Sequence, residues 1–452
     1  MKNKKSMFKI ALVGIFTFLL STITVFAADE TVIKTPEGFQ AVLTVLPLIV
    51  IIVLLFNKVD MIIAGLVGGV LAMLIGGISI VQANDFLLKS IPSMLTITVP
   101  IINSALAMAV FKAGSYTSAL SLVRRTIKDK VEYFAAFIVI LQAAATYMSG
   151  IGGGSAMVIA PLAFAAVGVI PELVAGMAIA TAVSFTTSPA SLESGIVSQL
   201  GNIEVANYVA EMRIFWIIFV AIGIVIAFYG TKKRHALFKG DEDEAVKAMT
   251  DKQLFVNTIP AIILLSAVIL GPLLNTAIGF NLVSPLVYTV LTVASIFICT
   301  KMNLNESVNA MVDGSNYILV KLFSVGIFLA FINIIGETGA FASIVNVANL
   351  APKALMVPTA VLAGFLVGVP AGAYVGSILT LVLPIAVSLG FSPVSLGFVA
   401  MGVGLGSQMS FVNITMQALS SGFNMPILDV VKGNAKWIIG CLVILLGIAF
   451  VF

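Results

Sequence analysis

The sequence predicts an all-α polytopic membrane protein made of two inverted structural repeats, with broken or re-entrant helices at matching places. Three observations predict it. Of the 452 residues, 60% are hydrophobic and 10% charged, against about 25% charged in a soluble domain, and the mean hydropathy is +1.15. Apolar runs of about 20 residues, the length that spans hydrocarbon, recur along the whole chain. Short landmarks of the first half also return about 222 residues later, as an internal repeat would make them. Gly154-Ser155 returns as Gly376-Ser377, Pro161 as Pro384 and Pro171 as Pro393.

The elements follow in order. Residues 1–28 pair a basic start, Met1-Lys2-Asn3-Lys4-Lys5, with an apolar run from Ile10 to Phe26. Val25-Phe26-Ala27 resembles a small-residue cleavage site. A cleaved signal peptide and a retained signal anchor both leave Asp29 to Gly38 outside. The first membrane repeat is expected over 39–230. Phe39–Phe56 crosses inward, Lys58 marks the inner turn, Asp60–Val81 returns, and Pro92–Phe111 crosses inward again. The basic loop Arg124 to Lys130 is then cytoplasmic, as the positive-inside rule requires. Tyr133–Ser149 runs outward. Ser155–Val169 and Leu173–Ser188 follow and are rich in Gly, Ala, Ser and Thr. Ile214–Tyr229 ends at Lys232-Lys233-Arg234-His235, which opens a cytoplasmic loop over 231–253. Asp241-Glu242-Asp243-Glu244 within it reads as a solvated charge run.

The second membrane repeat is expected over 254–452. Leu254–Leu274, Leu282–Thr300 and Ile318–Ile335 match the first three segments. Val357–Val369, Ser377–Leu389 and Val394–Gly406 match the broken region, and Trp437–Phe452 closes the chain. Seven stretches lie between Phe39 and Tyr229. An odd number turns the second copy upside down. That count rests on whether Ser155–Val169 crosses or folds back, and the sequence leaves both open.

Several functions are excluded or disfavoured. No Gly-x-x-x-x-Gly-Lys-Ser/Thr loop exists for ATP, and Gly402-Val403-Gly404-Leu405-Gly406 lies inside an apolar run. The single histidine, His235, sits in a basic loop, away from any serine that it would have to activate. No His, Cys or carboxylate cluster suits a metal enzyme. Cys299 and Cys441 lie in apolar runs, so no disulfide framework is expected. The net charge is +4, and the clustered cations sit in two short loops between membrane segments, which is no nucleic-acid signature. No enzyme activity and no cofactor are expected.

Two kinds of place remain for chemistry. Gly150-Ile151-Gly152-Gly153-Gly154-Ser155 interrupts an apolar run, and Gly368 to Ser377 is its counterpart. Each glycine weakens a helix by about 1 kcal/mol relative to alanine, so a break is expected, with free N–H groups at the start of the next helix. Such starts attract anions, although glycines also serve close helix packing. This makes Gly152, Gly153, Gly154, Ser155, Gly372 and Ser377 candidate substrate ligands. Polar residues end the next helix of each half: Thr186, Thr187, Ser188 and Ser191 around Pro189, then Ser407, Gln408, Ser410, Asn413 and Thr415. Their oxygens suit a carboxylate partner or Na⁺, while capping and interhelical hydrogen bonding is the plainer reading. Ser188, Glu193 and Asn413 are candidates for coupling to Na⁺ or H⁺. Lys321 lies within an apolar stretch and either pairs with a substrate carboxylate or snorkels to the interface. Repeated, Gly/Pro-interrupted membrane segments point to the midplane site of a secondary transporter.

From Asn103 to Val225, a Gly-rich stretch precedes an apolar helix containing Pro161, and an Ala-rich helix ends in Thr187-Ser188. This resembles the ion-transporter superfamily of inverted-repeat carriers and, within it, the C4-dicarboxylate anaerobic carrier family. The second half resembles it less clearly. In that family a Ser/Thr-Gly-acid turn stands near this point, whereas here Pro189-Ala190-Ser191 follows and the nearest acid is Glu193. The resemblance implies a multi-pass carrier of small organic anions in the bacterial cytoplasmic (inner) membrane. It implies alternating access with Na⁺ or H⁺ coupling or exchange, and a homodimer with moving and scaffold parts. A Na⁺/H⁺ antiporter of the same superfamily and a passive channel are the alternatives.

Overall fold

The computed structural model describes residues 36–452 apart from 37, 58, 96–97, 128–129, 151, 239–247 and 374. The signal-like segment 1–28, the Lys58 turn, the acidic run 241–244 and the Lys321 side chain therefore lie outside the described residues. Among the described residues the chain is helical, without strands.

The first half contains α1 (Gly38–Phe56), α2 (Met61–Gly76), α3 (Ile80–Leu95), α4 (Thr98–Lys112) and α5 (Ser115–Ile127). It continues with α6 (Val131–Ser149), α7 (Gly152–Val167), α8 (Pro171–Thr187), α9 (Leu192–Leu200) and α10 (Val205–Lys233). The second half contains α11 (Asp251–Ile278), α12 (Pro285–Cys299), α13 (Leu304–Glu337), α14 (Ala340–Asn346) and α15 (Met356–Ala371). It ends with α16 (Val375–Ser388), α17 (Pro393–Ser407), α18 (Ile414–Gly422) and α19 (Ile427–Val451). Among the described residues, six helices are long and apolar enough to cross a membrane, and three bent pairs bring the number to as many as nine. The chain is a multi-pass membrane protein.

Local chemistry sets the ends of these helices. Thr250 with Gln253, and Asn303 with Glu306, form capping boxes that start α11 and α13. Such boxes satisfy two of the N–H groups that every helix start leaves unpaired. Ser191, Ser392 and Asn413 cap α9, α17 and α18 through side-chain oxygens. Gly77, Gly150 and Gly279 end α2, α6 and α11 in the left-handed conformation.

Packing separates a kernel from a shell. Almost every residue of α7, α8 and α17 is buried, as expected for helices that are apolar all round. Outer helices turn large apolar side chains outward, including Phe39 and Val53 on α1 and Val443 and Phe450 on α19. The two basic segments meet at one end of the bundle. There Arg124 lies 5.9 Å over the Phe238 ring, Arg125 pairs with Asp251, and Arg234 grips both Glu172 oxygens at 2.6 and 2.9 Å.

One expected segment divides differently. Pro92–Phe111 was expected as a single crossing. Instead Pro92 falls near the end of α3, α4 starts afresh at Thr98, and α4 bends by 66° into α5. The polar residues Gln82, Asn84, Asp85 and Lys89 make α3 amphipathic rather than spanning. In the second half the matching stretch contains no proline and runs unbroken as the 34-residue α13.

Candidate functional site

α6 and α7 run antiparallel to each other. α6 starts at the basic end, where Phe134 stacks edge-on against Phe238. The chain turns at Gly150, whose φ of +69° belongs to glycine. α7 then returns, so that α8 begins at the same basic end with Glu172 held by Arg234. The pair is a hairpin, and its tip stops where α8 breaks. Ser188 Oγ donates to the Tyr147 carbonyl at 2.6 Å and accepts from Ala190 N–H at 3.0 Å. A Cβ on Gly150 would collide with the Ala190 carbonyl. The break itself, Ser188 to Ser191, bends α8 against α9 by 44°.

The carbonyls orphaned at the end of α8 need partners. Tyr208, on α10, donates its hydroxyl to Thr186 O at 2.8 Å, and Ser191 Oγ donates to Ser188 O at 3.1 Å. Ser191 Oγ also accepts from Ser194 N–H at 3.1 Å and so starts α9.

The second half builds the same device with other residues. α15 and α16 flank a tip at Gly372, and α17 breaks between Gln408 and Asn413 before α18. Asn413 Nδ2 donates to the Gly372 carbonyl at 2.9 Å, and its Oδ1 accepts from Met416 N–H at 3.1 Å. Gln417 Nε2 donates to Phe411 O at 2.5 Å inside the break.

The halves then interlock crosswise. α18 packs on α7, and α9 packs on α16. A Cβ on Gly153 would stand 2.6 Å from Ile414 Cγ2, and one on Gly376 would stand 2.9 Å from Leu192 Cδ2. Ile414 and Leu192 each open their short helix. Gly153 is therefore the counterpart of Gly376, so the sequence pairing of Gly154 with Gly376 slips by one residue. Pro161 and Pro384 keep the structural register. The start of α7 thus faces the start of α18, and the start of α16 faces the start of α9. At the second meeting the Gly376 amide hydrogen-bonds the Glu193 carboxylate. At the first, Thr415 Oγ1 would lie 3.1 Å from a Cβ on Gly152.

The expected ligands divide into groups. Ser188, Ser191, Ser410, Asn413, Thr415, Gly152, Gly153 and Gly372 gather at the tips and breaks. Thr186 and Thr187 are spent inside α8, donating to Ala182 O at 2.9 Å and Val183 O at 2.7 Å. Ser407 likewise donates to Gly404 O at 2.7 Å, and Gln408 Nε2 donates to Ser407 Oγ at 3.1 Å. These three hydroxyls hydrogen-bond within their own helices, because a Ser or Thr in a last turn reaches the carbonyl three or four residues back. Gly152 to Ser155 form the first turn of α7, not the turn before it. Gly154 O accepts from Asn103 Nδ2 at 3.3 Å, and Ser377 is half-buried on α16.

Sequence reasoning missed one polar cluster. Gln142 on α6 lies among Thr146, Ser155 and Thr181, with all four side chains at most 1% exposed. The signal available was a lone glutamine in an apolar run. A cavity of about 200 Å³, lined by Asn103, Ser155, Asn275, Asn281 and Tyr288 among others, adjoins it through Ser155.

No family model matches the chain, and no curated protein matches it. Among solved structures, that of the Alcanivorax borkumensis YdaH transporter aligns with 92% of this chain and 98% of its own, at 15% identity and a TM-score of 0.42. A likeness that loose carries no argument about this chain.

Proposed function

We propose that this chain is a secondary active transporter that moves a small organic anion, a C4-dicarboxylate or related carboxylate, across the cytoplasmic membrane by alternating access. The observation that carries the reading is the doubled device: in each half a hairpin tip is hydrogen-bonded to a helix break, and the resulting short helix rests on the hairpin of the other half. Non-helical backbone at membrane depth is tolerated where it is buried in protein or lines a cavity.

The anion preference rests on helix starts. α7 and α18 face each other by their N-termini, as do α16 and α9, and such ends carry partial positive charge. Glu193 already brings a carboxylate to the second pair. The equivalent position of the first pair is Thr415, so the substrate carboxylate is assigned there, with Gly152 and Gly153. Contacts at helix ends support an inverted relation between the halves. Pro393, opening α17, lies by Gly201 just past α9, while Gly433, near the start of α19, lies by Pro171 at the start of α8. Equivalent helices then run in opposite directions, the arrangement from which rocking of one unit opens a fixed site to either side.

The test is uptake of radiolabelled succinate, citrate and gluconate into proteoliposomes under a Na⁺ gradient, an H⁺ gradient or internal counter-substrate. Saturable accumulation of one acid against its gradient is expected. Downhill flux alone would indicate a channel, and Na⁺/H⁺ exchange without acid movement an antiporter.

A further inference from the structure

We propose that Gln142, Thr146, Ser155 and Thr181, together with the Gly152 carbonyl, form a binding site for a monovalent cation of Na⁺ size behind the first hairpin tip.

The Gln142 amide has too many hydrogen-bond neighbours at its nitrogen and none at its oxygen. Gln142 Nε2 lies 2.8 Å from Thr181 Oγ1, 3.0 Å from Ser155 Oγ, 3.3 Å from Thr146 Oγ1 and 3.5 Å from Gly152 O. A carboxamide nitrogen has two hydrogens, too few for four acceptors. Its partner atom, Gln142 Oε1, is buried without a hydrogen bond. A buried acceptor left unpaired is costly.

The hydroxyls point the same way. Thr181 spends its hydrogen on Met177 O at 2.8 Å, and Ser155 donates to Gly152 O at 3.0 Å. Thr146 Oγ1 and Ser155 Oγ lie 2.8 Å apart. With those hydrogens committed, the oxygen lone pairs converge on the point that Nε2 holds. With the carboxamide turned over and drawn back from that point, Oε1 joins the other four, and the point then faces five oxygens and holds no positive charge of its own.

Five neutral oxygens suit a hard cation of low charge, whereas divalent ions draw on carboxylates. Among the described residues no group of His, Cys, Asp or Glu could hold a metal ion. Thr146 stands in the last turn of α6, where the helix dipole favours a cation. The 200 Å³ cavity reaches Ser155 and carries Asn103, Asn275 and Asn281 in an otherwise largely apolar lining.

The ligands come from α6, α7 and α8, so a bound ion ties both arms of the hairpin to the helix that breaks at Ser188. An ion that binds one arrangement of these helices better than another shifts the balance between them. This coupling rests on the transport reading above, whereas the binding itself does not.

The experiment follows thermal unfolding of the detergent-solubilised full chain, without organic anion, against increasing NaCl. KCl and choline chloride keep the ionic strength equal. A saturable rise in midpoint specific to Na⁺ is expected. Thr181→Val and Gln142→Leu should raise the half-saturating Na⁺ about tenfold, and Thr181→Ser should keep it near wild type. Equal midpoints in the three salts, or unchanged Na⁺ dependence in both weakened variants, would overturn the site. If those variants do not fold, equilibrium binding of ²²Na⁺ to the wild-type chain decides, and absence of binding overturns the proposal. Na⁺ binding without uptake of any acid leaves the site standing and removes the transport reading alone.

Discussion

Ser188 and Asn413 reach the ends of their hairpins by different routes. Ser188 opens its break and Asn413 closes its own, yet each donates to the tip of its hairpin, at Tyr147 and Gly372. The sequence made both polar clusters visible. It did not distinguish the hydroxyls that reach a tip from Thr186, Thr187 and Ser407, which turn back into their helices, because that choice depends on where each helix ends. Gln142 was illegible for a related reason, since one glutamine among apolar neighbours declares its partners only once three helices meet. Removing both tip contacts with Ser188→Ala and Asn413→Ala should abolish uptake. Each buried hydrogen bond contributes about 0.5–1.5 kcal/mol, well below the stability of about 5–15 kcal/mol usual for a folded chain. Size-exclusion chromatography should therefore still give a monodisperse peak, and wild-type uptake by this double variant would refute the site assignment.

At the scale of elements, Pro161 and Pro384 share the spacing of Gly153 and Gly376, which the pairing of Gly154-Ser155 with Gly376-Ser377 does not. Pro161, Pro171, Pro384 and Pro393 are fixed by their places inside or at the start of helices, whereas glycines slip by a residue without changing the hydropathy pattern. Whether α6 and α7 cross or return was also illegible, since hydropathy records length but not the end at which a chain re-emerges. The two crosswise contacts differ in stiffness. Gly153 faces the β-branched Ile414, which has one strongly preferred rotamer in a helix, while Gly376 faces the more adaptable end of Leu192. Gly153→Ala should therefore cost about 1–3 kcal/mol by overpacking, and Gly376→Ala less. Differential scanning fluorimetry of the two variants gives the ranking, and the reverse order would contradict this account of the interface.

For the whole molecule, the all-α membrane class was legible because composition survives any local ambiguity. The crosswise seating was not, since no pattern in one half names its partner in the other. That seating can be locked. Ile414 Cβ lies 3.4 Å from where a Cβ on Gly153 would stand, close to the roughly 3.5–4.5 Å of a disulfide. With Cys299 and Cys441 replaced, Gly153→Cys with Ile414→Cys should cross-link under oxidation, stop uptake and recover with reductant. Full uptake by quantitatively cross-linked protein would show that this contact stays closed throughout the cycle.

The crosswise seating also bears on how the chain is made. α9 packs on α8 and α10 of its own half, but also on α16, which begins at Val375, long after Leu200 has been synthesised. At roughly 5–20 residues per second, that delay is about 10–35 s. Throughout it Leu192 and Glu193 at the start of α9 lack the Gly376 end of α16 that they meet in the finished fold. Assembly of this protein is therefore a problem of timing, in which the first half must be held unfinished until the second arrives to complete it.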